Sequence, residues 1–147
     1  MIKALAAAFA LMASYSAVEA QQTRLPQFVE YCRLNPFECP VRGSRVIEWS
    51  EKLASDLMRV NLDVNSWMIP TPDPPGIDVW QSEVRNDDCD GAALTKRSRL
   101  RKLGYDVTAL EPTVVNVSGQ YHLILVVKTS QGDYALDNLT DHIRRVK

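Results

Sequence analysis

The sequence predicts an α+β domain in which helices come first and a small antiparallel sheet follows. Three observations predict it. Apolar residues recur at helical spacing between positions 46 and 65. A second helical segment runs from Asp90 to Leu103 and stops at Gly104. Beyond it lie three runs rich in β-branched and aliphatic residues, Val114–Val117, His122–Lys128 and Tyr134–Leu139. Ser118-Gly119 and Ser130-Gln131-Gly132 separate them.

The first twenty residues read as an address rather than as fold. Lys3 supplies a positive charge, Ala4 to Met12 is apolar, and Val18-Glu19-Ala20 offers small residues for cleavage after Ala20. The apolar run is too short to span a bilayer, so an uncleaved anchor is the weaker reading. Cleavage leaves 127 of the 147 residues, enough for one domain, residues 21–147. The chain carries 17 basic and 18 acidic residues, a formal net charge of −1. It has no basic stripe and no nucleic-acid motif, which argues against a nucleic-acid partner. No other run is long and apolar enough for a membrane helix, so an integral membrane protein is not expected. Export, most simply to a periplasm, allows Cys32 and Cys39 to pair. Two unpaired cysteines are the alternative.

Taken in order, residues 21–43 suggest a helical turn followed by the Cys32…Cys39 loop with Pro36 and Pro40. Ser44 suits a helix N-cap. Ile47, Leu53, Leu57, Val60 and Val64 then mark the apolar face of a helix from Val46 to about Asn65. Asn61 and Asn65, one turn apart, read as structural hydrogen bonders. Pro70, Pro72, Pro74, Pro75 and Gly76 end regular structure and make a loop that leads to Trp80. Trp80 reads more readily as a core side chain than as a cleft wall, and Gln81 as an exposed loop residue. The second helix has an acidic start and a basic body (Lys96, Arg97, Arg99, Arg101, Lys102), which match the helix dipole. His142 lies among charged residues and reads as exposed.

Cys89 is the odd cysteine, and it sits where the second helix begins. His122 and Asp137 follow it. Thiol, imidazole and carboxylate are the groups that a cysteine hydrolase or acyltransferase needs. Backbone N–H groups at a helix N-terminus favour a thiolate and can hold an oxyanion. His122 opens one strand and Asp137 lies in the next. With strand pairing centred at 129.5, His122 faces Asp137; centred at 130.5, it faces Leu139. Either register puts both side chains on one face. By spacing alone these residues fit a turn aspartate and a strand-edge histidine equally well.

Further motifs shift that balance. Tyr31-Cys32-Arg33-Leu34-Asn35-Pro36 with Glu38-Cys39, then Val60-Asn61, Val64-Asn65, Asp78 and Trp80, lead to Asp88-Cys89-Asp90 with Leu94, Lys96 and Arg97. Tyr121-His122-Leu123-Ile124-Leu125-Val126 and Leu136-Asp137-Asn138-Leu139 follow. In this order the chain resembles the bacterial transglutaminase-like cysteine peptidases of the LapG type. The resemblance implies a papain-like or transglutaminase-like α+β fold, with Cys89 as nucleophile, His122 as general base and acid, and Asp137 orienting His122. It implies a periplasmic endopeptidase working through a thioester on an exported or surface protein. By family analogy, an inner-membrane regulatory protein is a further partner. Transglutaminase-type acyl transfer, or an inactive binding module on the same fold, are the alternatives.

The resemblance also implies calcium, held by acidic residues around the nucleophile, here Asp88 and Asp90. The family usually has glycine two residues before the Cys and a Glu-Asp or Asp-Asp pair after it. Here Asp87 takes the glycine's place and the pair reads Asp90-Gly91. Three carboxylates beside Cys89 oppose a thiolate, and a bound cation offsets them. Without a cation the aspartates would be water-exposed capping residues. Relatives usually continue beyond the last segment, Asp141–Lys147, with more sheet residues.

Overall fold

The computed structural model describes residues 25–146. The expected signal peptide at 1–20 lies outside them. Three helices and two sheets appear: α1 (Pro26–Leu34), α2 (Glu51–Trp67), β1 (Ile69–Pro70), β2 (Asn86–Asp87), α3 (Cys89–Lys102), β3 (Leu110–Val117), β4 (Gln120–Thr129), β5 (Gly132–Asp137) and β6 (Thr140–Val146). The last four strands form an antiparallel meander in chain order. Helices first, antiparallel sheet second, is the expected layout. None of the described helices is long and apolar enough to cross a membrane.

Helix α2 begins later than the periodicity predicts. Ser50, not Ser44, is its N-cap, and its hydroxyl accepts from the Leu53 N–H at 3.0 Å. The residues before it are not helical because the sheet claims the backbone of Ile47. The Ile47 N–H donates to the Lys128 carbonyl, and the Ile47 carbonyl accepts from the Ser130 N–H. Ser44 is instead tied through its N–H and hydroxyl to the Asp106 carboxylate.

The sheet also exceeds the prediction. Strand β3 starts at Leu110, four residues early, and residues 140–146 form a fourth strand that the charged sequence hides. The pairing of Leu125 with Leu136 corresponds to the register centred at 130.5. Between Ala135 and Asp137 the β5–β6 register shifts. Irregularities of this kind bend a strand and re-aim side chains.

The core lies where α2 and α3 meet the sheet. Leu53, Leu57, Val60 and Val64 of α2 pack with Ala92, Ala93 and Leu100 of α3 and with Leu123, Leu125, Val127 and Leu136. Helix α3 is buried on nearly every side, including Thr95, Lys96, Arg97 and Ser98. A one-sided stripe cannot describe such a helix, which is why its apolar residues look sparse in the sequence.

Two clamps hold α3, one before its start and one along its C-terminal half. The Ile69 and Thr71 N–H groups donate to the Arg85 and Asp87 carbonyls in the parallel β1–β2 pair. Pro70 falls between the two donors, so its missing N–H is not needed. At the other side the Cys32–Cys39 disulfide closes a short loop whose Glu38 is 6% exposed. Glu38 accepts from Arg101 Nε at 2.8 Å and the Ser98 hydroxyl at 3.1 Å, and pairs with Arg97. Replacing Glu38 with Gln leaves two guanidinium groups facing a neutral amide. Urea denaturation with the disulfide intact should show a loss of roughly 3 kcal/mol; an unchanged midpoint would deny the pair its structural role.

Candidate active site

Asp88 is the N-cap of α3. Its Oδ1 accepts from the Asp90 N–H at 3.2 Å, and its carbonyl accepts from the Ala92 N–H. Cys89 is thereby the first residue of the helix, half-buried and free of any disulfide. The unpaired N–H groups of this first turn face the same end as the thiol.

His122 lies on β4 and Asp137 at the end of β5, each in a position that the 130.5 register places on one face. Their side chains meet: His122 Nε2 and Asp137 Oδ1 are 2.8 Å apart, with the histidine 9% and the aspartate 1% exposed. His122 is raised from 6.5 to about 9, first by this bond and next by a hydrogen bond with the Cys89 thiol. Burial opposes the shift without reversing it. At neutral pH the ring is therefore an imidazolium that donates Nε2–H to Asp137. Its other nitrogen, Nδ1, is left for the sulfur. The step that the sequence could not supply, the packing of the first turn of α3 against the strand pair, is thus in place.

Asp137 is held from several sides. Its Oδ1 also accepts from the Leu139 N–H at 2.9 Å, and its Oδ2 accepts from Arg144 at 3.1 Å. The His122 bond and these donors hold its carboxyl below the usual range against burial, which is the largest single influence and pushes it up. Asn65 of α2 donates from Nδ2 to the carbonyls of Asp137 and Thr140, and Asn61 donates to Thr140. The two asparagines are structural hydrogen bonders, and they fix the turn that carries the aspartate.

Two charged neighbours of the site take places that the sequence does not disclose. Arg144 lies on β6, which was not read as a strand. Lys96 is fully buried on α3, two turns after Cys89, and its Nζ has no hydrogen-bond partner. Burial pulls it from 10.5 down to about 7, while the charges of Asp137 and Asp141 pull it back up. In the sequence it stands only as one of the helix's basic residues and as part of the motif that follows Cys89.

Of the aspartates around Cys89, Asp88 is the half-buried cap, while Asp87 and Asp90 are buried rather than exposed. Asp87 and Asp90 are 3% and 4% exposed, and one carboxylate oxygen of each, Oδ2, has no hydrogen-bond partner. Ligand atoms of Asp88, Cys89 and Asp90 lie within 4.8 Å of one another. Burial raises the carboxyls of Asp87 and Asp88; the charge of Asp73 adds to both, with Asp88 adding to Asp87 and Asp78 to Asp88. Buried carboxylate oxygens without donors are what a hard cation takes as ligands. Gln81 is half-buried beside Asp87 rather than exposed in a loop. Trp80 packs against the core, with its Nε1 donating to Asp78 at 2.9 Å. His142 is exposed.

A free thiol at a helix start, an imidazolium against it, and a buried carboxylate behind the ring form the arrangement of cysteine-dependent acyl-transfer enzymes. The profile of the bacterial transglutaminase-like cysteine proteinases (BTLCP) matches residues 19–147, and the chain belongs to that family. It is a cysteine peptidase of the transglutaminase-like class. Among curated proteins, none matches it in sequence. In structure it is similar to calcium-bound LapG of Legionella pneumophila, with a TM-score of 0.57 over 82% of this chain and 67% of that chain. The two are 21% identical, so the likeness speaks to the transglutaminase-like fold.

Proposed function

We propose that the protein is a periplasmic cysteine endopeptidase, exported by a signal peptide at residues 1–20 and cutting an exported or surface protein. The observation that carries this reading is the His122–Asp137 bond with Cys89 at the other side of the ring. Cys89 thiolate attacks the amide carbonyl, and the N–H groups of the first turn of α3 receive the oxyanion. His122, already an imidazolium, gives its proton to the leaving amine, and a thioester remains on Cys89. His122 then takes a proton from water as that water attacks the thioester. Asp137 holds the ring with one nitrogen facing the sulfur and steadies its charge. The disulfide supports an oxidising compartment. An inner-membrane protein that regulates access to the site remains part of this reading by family analogy.

Calcium fits the residues present, since buried carboxylate oxygens of Asp87 and Asp90 lack donors. LapG of Legionella pneumophila carries it. Asp88 and Asp90 would hold the ion here. When bound, it supplies positive charge that offsets the carboxylates flanking Cys89.

Transglutaminase-type transfer shares the thioester and differs only in what accepts the acyl group. Mass spectrometry of candidate exported proteins, incubated with wild type and with Cys89→Ala, separates the two. New termini that vanish in the variant support the peptidase. Cross-linked products would replace it with acyl transfer, and identical spectra for both proteins would remove both activities.

A further inference from the structure

We propose that Asp87 is a calcium ligand at the start of α3, its carboxylate filling the space that a side chain at position 91 would otherwise occupy. The assignment rests on the calcium reading above and extends it to a residue which that reading does not name as a ligand.

The first support is steric. A Cβ on Gly91 would overlap the Cγ and Oδ2 of Asp87 and come within 2.6 Å of its Cβ. The Asp87 carboxylate therefore lies directly over the Gly91 Cα, and only one side chain fits there. The backbone gives no other reason for this glycine. Gly91 is not among the positive-φ residues, and it sits in the first turn of a helix, where glycine is unfavourable by about 1 kcal/mol relative to alanine. A glycine at 91 is what allows Asp87 to turn its carboxylate over the helix start.

The second support is an unmet demand for positive charge. Asp87 Oδ1 accepts from the Asp88 N–H at 2.9 Å, while the buried Oδ2 has no partner. A side-chain interaction with Gln81 lowers the Asp87 carboxyl, yet Oδ2 itself has no hydrogen-bond partner. Asp87 and Asp88 line a cavity of about 30 Å³ together with Asn65 and Asn138. Each of these asparagines also has a buried Oδ1 without a partner. The orphaned atoms lining this cavity are all oxygen acceptors. Calcium accepts such irregular sets of carboxylate and amide oxygens at 2.3–2.6 Å, whereas magnesium demands a strict octahedron. Asn138 adjoins Asp137 in the β5–β6 turn, so an ion here would join the helix bearing Cys89 to the turn bearing Asp137.

The geometry also supplies its own test, because a carboxylate can be hung over the same spot from either position. Calcium and, in parallel, magnesium would be titrated by calorimetry into wild type, Asp87→Asn and the exchange variant Asp87→Gly/Gly91→Asp. Melting temperature with CaCl2 and with EGTA gives a second readout, independent of catalysis. Asp87→Asn keeps an oxygen for the Asp88 N–H, so its fold should be retained. The expected result is calcium binding by wild type in preference to magnesium. Asp87→Asn should weaken it at least about tenfold and shrink the calcium-dependent melting shift. The exchange variant should recover most of both. Wild-type affinity in Asp87→Asn, or a folded exchange variant that does not bind, overturns the Asp87 assignment while calcium itself stands. No calcium binding by wild type overturns the ion and the assignment together.

Discussion

Asp137→Asn should lower kcat/KM by about 10³- to 10⁴-fold while the protein stays folded, comparable to the loss when the orienting carboxylate of a Ser-His-Asp triad becomes an amide. The variant tests more than a rate. The bond with Asp137 is the largest cause of the raised His122, ahead of the one with Cys89. In wild type the His122 imidazolium, the proton donor in the proposed mechanism, persists until about pH 9. The alkaline limb of kcat/KM should therefore fall with an apparent pKa near 9, and Asp137→Asn should move that limb down toward the ordinary histidine range. Iodoacetamide labelling gives a companion readout: Cys89 should alkylate at neutral pH in wild type and far more slowly in His122→Ala. A wild-type rate in Asp137→Asn, or an alkaline limb that does not move, would deny Asp137 its orienting part. A thiol equally slow in both proteins would favour an inactive binding module.

The second large effect concerns Lys96. Its folded pKa, about 7, lies far below the unfolded value, so between pH 7 and about 10.5 the unfolded chain binds more protons. The penalty for burying the charge is fully present below pH 7 and disappears as pH rises through that window. A shift of this size corresponds to roughly 5 kcal/mol. His122 acts in the opposite sense. Its folded pKa is raised to about 9, so its stabilisation is complete below pH 6.5 and is lost as pH rises through 9. That contribution is about 3 kcal/mol. In wild type the two trends oppose each other between pH 7 and 9, and stability should change little there. Lys96→Met should unmask the histidine: more stable than wild type at pH 6 by several kcal/mol, and declining from pH 6.5 to 9. His122→Ala should do the reverse and gain stability from pH 7 upward. Urea denaturation at pH 6, 7.5 and 9 reads all three. If Lys96→Met is weaker than wild type at pH 6, the ammonium has a partner that compensates its burial.

Much of this molecule is legible along the chain, for identifiable reasons. Helix α3 announces itself through an acidic start, a basic end and Gly104, which are local signals. Strand β4 carries a near-continuous aliphatic run, and β5 follows it across a turn marked by Gly132. The start of α2 misleads because Ile47 fits the apolar period, yet its backbone is bound by Lys128 and Ser130. Strand β6 is hidden because Asp141, His142, Arg144 and Arg145 look like solvated surface, though pairing with β5 makes them a sheet edge. For the site, residue types and chain order were available from the sequence: a cysteine before a helix, a histidine opening a strand, an aspartate in the next.

The sequence by itself determined the kinds of group present, the element that carries each, and the shared parity of His122 and Asp137, because side chains alternate strictly along paired strands. The tertiary structure decided the rest. It chose the register, brought Cys89 of α3 to the ring of His122, and put Arg144 behind Asp137 and Lys96 in its field. It also reversed the reading of the aspartates, because only packing could turn Asp87 inward over Gly91 and leave its oxygen without a donor. The reason is physical. Periodicity and capping act within a few residues, whereas burial, charge and orphaned hydrogen-bonding groups are set by whatever distant segment comes to lie alongside.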